Sequence, residues 1–168
     1  MRAALVSGLI ACLFWPQALL AALPDGLAGT WHGTVEVEAD EVPVRAVVWA
    51  QADGFEVELD LPEVPALRAH FVPSERPRVF EVAAAPRGLF GFFNGGERGN
   101  PFDGEPLVWA RASGLGIVAY RLTIAGDGGM ALLRIVLEPV DGQLQMSVQQ
   151  RIDADPPSRL EILLEPAG

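Results

Sequence analysis

Trp31-His32-Gly33-Thr34-Val35-Glu36-Val37-Glu38 alternates without a break, its odd positions apolar or small and its even positions polar. A period of two marks a strand with one buried and one wetted face, because successive side chains leave opposite sides of the pleat. The pattern returns at Phe55, Val57, Leu59 and Leu61, with Glu56, Glu58 and Asp60 facing the other way. Asp53-Gly54 just before it is a hairpin signal, since that pair readily takes the left-handed conformations of a two-residue turn. The intervening stretch 42–51 is apolar on both faces, which predicts burial on both or an apolar ligand against the second.

Working outward, Pro62, Pro65, Pro73 and Pro77 confine 67–72 to a short, edge-like strand, because proline removes a ladder donor. Strands are further predicted at 78–83, 105–112, 116–124, 130–138, 143–152 and 158–165. Ser113-Gly114, Gly126-Asp127-Gly128-Gly129, Asp141-Gly142 and Asp155-Pro156-Pro157 separate the last five. No stretch carries a helical apolar period. About ten short strands on tight turns give an all-β chain. The expectation is an antiparallel up-and-down meander of about 8–10 strands that hides its edges by closing into a barrel or a strongly bent sandwich.

Residues 1–22 read as a secretory signal peptide: Met1-Arg2, an apolar run, then an alanine-rich end. A cut after Ala21 or Ala22 leaves a single domain at 23–168 and places it in the periplasm or outside the cell. An uncleaved leader would be the one route to a membrane. Cys12 is the only cysteine, so a processed chain has no thiol for a disulfide, a nucleophile or a zinc site. Lysine is absent and all 12 basic residues are arginine. With Arg2 removed, 11 arginines stand against 22 acids, a balance that argues against nucleic acid as a partner.

The long connection RGLFGFFNGGERGNPFDGE, residues 87–105, holds six of the 18 glycines and four of the 8 phenylalanines. Its length without secondary structure predicts a functional segment, and Phe90, Phe92, Phe93 and Phe102 carry too much apolar surface for an idle linker. They are expected to pack on one end of the scaffold as a lid or plug, and to line a ligand site.

Gly29-Thr30-Trp31, opening the first strand behind a leader, resembles the G-x-W start of the calycins, the lipocalins and nitrobindin-like barrels; Gly33 extends the likeness to the nitrobindin-type G-x-W-x-G. The resemblance implies a cup for a small apolar ligand. It also implies that Trp31 and Gly29 are structural, with the tryptophan across the closed end under an arginine from a late strand, Arg151 or Arg159. The second lipocalin motif, a cysteine pair and a C-terminal helix are missing from this chain.

Arg111, Arg121, Arg134 and Arg151 fall one on each of four successive predicted strands. The plain reading is a surface ladder with Glu105, Glu138 and Glu165 as partners. The sharper reading is an internal polar patch that receives a carboxylate or other anionic head group, with Tyr120 at the adjacent position. Other chemistry finds little support. His32 with Glu36, and His70 beside Phe71, read first as surface positions; two histidines make a thin metal site. Asp103 and Glu105 read as a loop-to-strand junction before they read as an acid–base pair. Ser113 and Ser158 are turn residues outside any nucleophile motif. No catalytic motif, metal or cofactor is called for. Two functions are therefore expected in order: an extracytoplasmic binding module for a small apolar, amphipathic or carboxylate-bearing ligand, or an envelope structural or assembly factor that engages a protein partner through the 87–105 loop or strand edges.

Overall fold

In a computed structural model, which describes residues 23–62, 64, 66–83 and 99–168, the alternating segments become ten antiparallel strands. They are β1 (Gly29–Val37), β2 (Asp40–Gln51), β3 (Gly54–Asp60), β4 (Leu67–Pro73), β5 (Val79–Val82), β6 (Leu107–Ser113), β7 (Gly116–Ile124), β8 (Met130–Val140), β9 (Gln143–Ile152) and β10 (Ser158–Pro166). Each pairs with the next, and β10 returns to β1, so the sheet closes as an up-and-down barrel. Closure is the solution the edges require, since an open meander would present two rows of unpaired backbone groups. The only helical element among the described residues is a short 3-10 turn at Pro101–Asp103.

Strand boundaries follow local chemistry. Arg78, expected to begin β5, instead has φ 63 and belongs to the preceding turn. Gly54 opens β3 where any side chain would collide with the Phe71 carbonyl oxygen, so the β3–β4 ladder can be this close only at glycine. The two-residue connection between Ser113 and Gly116 includes Gly114 at φ 61 and pins the β6–β7 register by setting those two residues opposite each other.

The inner wall is the alternate set of each strand: Trp31 and Gly33 pair with Ala46 and Val44, Val57 and Leu59 with Val48 and Ala46, and Ile117 and Ala119 with Leu137 and Ile135. These residues form one continuous buried cluster. Three rings fill its centre. Phe55 lies 5.2 Å from Phe71 and 4.8 Å from Phe80, the latter edge-on, an arrangement aromatic pairs favour. Small residues (Ala46, Ala69, Ala110, Ala119) sit across from the bulky ones, which lets side chains from all sides interdigitate in a closed barrel. No charged or polar side chain is buried among the described residues.

The barrel's two ends differ. At one, the chain enters through Leu27 and the buried Trp31, whose Nε1–H donates to the Leu27 carbonyl at 3.2 Å. The far end carries the β1–β2, β3–β4, β5–β6, β7–β8 and β9–β10 connections. The ring is also unevenly sewn. β1 and β10 share a ladder of only two pairs, Trp31 with Pro166 and His32 with Glu165, extended by Ala167 N–H donating to Thr30 O at 2.8 Å. Beyond it, towards the far end, the described ladder stops, although β10 still lies close against Gly33, where a Cβ would meet the Leu163 carbonyl oxygen at 3.2 Å. Continuing the register would set Glu36 against Glu161, like charges that repel when directly opposed.

Candidate functional site

The inner wall grades from filled to half-covered along the barrel. Near the Trp31 end Phe55, Phe71, Phe80, Leu137, Leu144, Met146 and Leu164 are fully buried. Towards the far end the same inward series continues as Val35, Val37 and Val42 on β1 and β2, Val82 and Val108 on β5 and β6, and Leu160 on β10, and each of these is only half-buried. An apolar wall that water partly reaches, at one end of a closed barrel, is where a small molecule can be received.

Arg121 stands in that half-covered zone. It follows Ile117 and Ala119 on the inward side of β7, and pairs across the strands with Val108 on β6 and Leu133 on β8. Among the described inward positions Arg121 is the one charged residue that is half-buried; Asp40, opposite Val37 at the rim of β2, shares the inward phase but is exposed. The other polar inward groups cluster beside Arg121: Thr123 two residues on, Gln150 opposite Leu133, and Ser158 opposite Gln150. Thr123 and Ser158 donate to backbone carbonyls of Ala131 and Gln150 at 3.5 and 3.4 Å. Arg121 is half-buried, and no acidic side chain among the described residues lies within ion-pair distance of it.

The arginine row expected from sequence does not form. Arg111 pairs with Val118, Arg134 with Tyr120 and Gln149, and Arg151 with Leu132, so these three leave the outer side of the sheet while Arg121 points inward. Arg134 Nη1 donates to Gln149 Oε1 at 3.3 Å, and Arg151 Nε to the Asp153 carbonyl at 3.3 Å. Tyr120 is also outside. It stacks on Trp109 with centroids 4.9 Å apart and planes within 9°, a cross-strand pair of the kind that steadies a sheet.

The predicted cover over Trp31 is likewise absent. Arg159 and Arg151 are exposed near the far end, Arg159 paired with Glu161 two residues along its own strand. Trp31 lies instead beside Pro166 at the other end of β10, packed over Gly29, whose missing Cβ would meet the indole at 3.3 Å.

Of the aromatic loop, Phe90, Phe92 and Phe93 lie outside the described residues. Phe102 is on the 3-10 turn and is 84% exposed, so at this residue the expected packing onto the scaffold is not found. The turn holds it there: Asn100 Oδ1 accepts from Phe102 N–H at 3.1 Å, while Asn100 Nδ2 donates to Asp103 Oδ2 at 2.7 Å. Asp103 is thus part of a turn cap rather than a free partner for Glu105. His32 is exposed on the outer face, and His70, also on the outer face, has Nε2 3.0 Å from Asp53 Oδ1. Among the described residues no three His, Cys, Asp or Glu side chains gather as a metal site.

No family model, curated protein or solved structure matches this chain. The closed ten-stranded antiparallel barrel is consistent with a calycin in general shape. Sequence reasoning reads Arg121 first as one rung of a surface ladder and second as part of an internal patch of four arginines; Arg121 alone of the four is on the inward side. The same reasoning misses Gln150, Thr123 and Ser158, which share the inward side only once the register is fixed.

Proposed function

We propose that this protein is an extracytoplasmic binding module that takes a small amphipathic molecule into the half-covered end of its barrel. The observation that carries the reading is the wall itself: half-buried valines and leucines interrupted by one inward guanidinium with no acidic partner among the described residues. A cation against apolar surface without a counter-charge is costly, and a bound anion relieves that cost while the apolar part of the same ligand covers the valines. The periplasmic or secreted location rests on the apolar leader at 1–22. Kinship with the calycins rests on Gly29-Thr30-Trp31 at the head of a closed barrel, with Trp31 at the filled end.

An envelope assembly factor is the second reading, and one observation favours it: Phe102 stands exposed on a capped turn within the 87–105 segment, its ring open to a contact. Native mass spectrometry of protein purified from its own source separates the two. A small molecule retained at one per chain is expected. A chain of bare mass that co-purifies with a protein, released by Phe102→Ala, would overturn the binding reading in favour of assembly.

A further inference from the structure

We infer that the ligand is a compact monocarboxylate, its head on Arg121 and its short tail lying across the lumen against β1 and β2; this rests on the binding reading above. The charge follows from the wall. Among the described inward positions Arg121 is the only cation, and the only acid, Asp40, is exposed at the rim on β2, so the half-buried wall offers one positive charge to a single negative one; a planar guanidinium receives a planar carboxylate through two parallel hydrogen bonds. The Gln150 carboxamide, in the same cross-strand row, offers a further donor on one side of the head group only, the Ser158 hydroxyl already donating to the Gln150 carbonyl. A multiply charged anion would find no second cation inside and would meet an acidic protein outside.

Tail length follows from depth. One layer below Arg121, towards Trp31, the inward positions Ala119, Ile135 and Val148 are 1%, 2% and 3% exposed, so the lumen is filled from that level down. The space lies within about two residues of strand, roughly 7 Å along the chain and less along the axis because barrel strands tilt by about 35–45°. A long acyl chain cannot descend. The tail must run sideways, and β2 lies five places round the ten-strand ring from β7, which makes Val35, Val37 and Val42 the facing wall.

The test is calorimetric titration of the full processed protein with butanoate, hexanoate, octanoate and dodecanoate, the matching 1-alcohols, and hexyl phosphate. Hexanoate is expected to bind at least about tenfold more tightly than 1-hexanol, the discrimination that charge-assisted hydrogen bonds supply. Arg121→Gln should remove that preference, with an unchanged melting profile, whereas Arg134→Gln on the outer face should keep it. Affinity that rises steadily through dodecanoate overturns the compact-ligand inference. Equal binding of acid and alcohol, tighter binding of hexyl phosphate than hexanoate, or a preference that survives Arg121→Gln, overturns the carboxylate assignment while leaving an apolar cup. Binding of neither acid nor alcohol overturns the cup itself.

Discussion

Trp31 shows how much one residue settles in this barrel. Its ring is buried beside Pro166, it is accommodated by Gly29 and Ala46, and its N–H satisfies the Leu27 carbonyl. Trp31→Ala removes that packing and leaves a carbonyl without its donor. The expected cost is about 3–5 kcal/mol, the range for truncating a large buried aromatic, read as a lower urea midpoint at unchanged slope. A midpoint equal to the parent's would mean the ring contributes no packing. Burial of this tryptophan was legible because it heads the apolar phase of an unbroken alternation. The inward direction of Arg121 was legible in principle too. A two-residue turn at Gly114-Leu115 forces an odd residue of β6 to face an even one of β7, as Arg111 faces Val118, so Arg111 and Arg121 must leave opposite sides. Counting one arginine per strand ignores that parity; counting through the turn recovers it.

Among the neighbouring strands, β1 and β10 share the shortest ladder. Their ladder ends after His32 and Glu165, and the like charges of Glu36 and Glu161 oppose its continuation. Glu36→Thr should let pairing advance towards the far end, raising stability by about 0.2–1 kcal/mol, the worth of a cross-strand pair, and slowing amide exchange at Thr34 and Leu163, whose N–H groups face the seam. Exchange rates that match the parent's would show that something other than charge parts the strands. The strands themselves were readable from period and turn residues almost to the residue, because each buries one face only. Which two strands would share the shortest ladder was not readable, because it depends on how the last strand registers against the first, and no turn connects them.

At the scale of the whole molecule, closure makes stability indivisible. The core is shared by all ten strands, so a chain ending at Ile152 lacks β10, exposes the edges of β1 and β9, and should give no near-ultraviolet circular dichroism and no cooperative melting. A cooperative transition in that truncated chain would show the ring to be dispensable. The site was less legible than the fold. A period of two says which residues share a face but not how far down the lumen side chains fill it, and that depends on Phe55, Phe71 and Phe80 converging from three strands.

The pairing of Trp31 with Pro166 also sets a clock. Every other neighbouring pair of strands can zip as soon as its own connection is made, but this one waits until β10 has been supplied, since it joins the first strand of the barrel to the tenth. Ring closure is therefore the most non-local event in folding, the kind that is slow relative to helical domains of similar stability. A nascent copy spends that interval as an open sheet with two naked edges, the exposure that invites pairing with another chain.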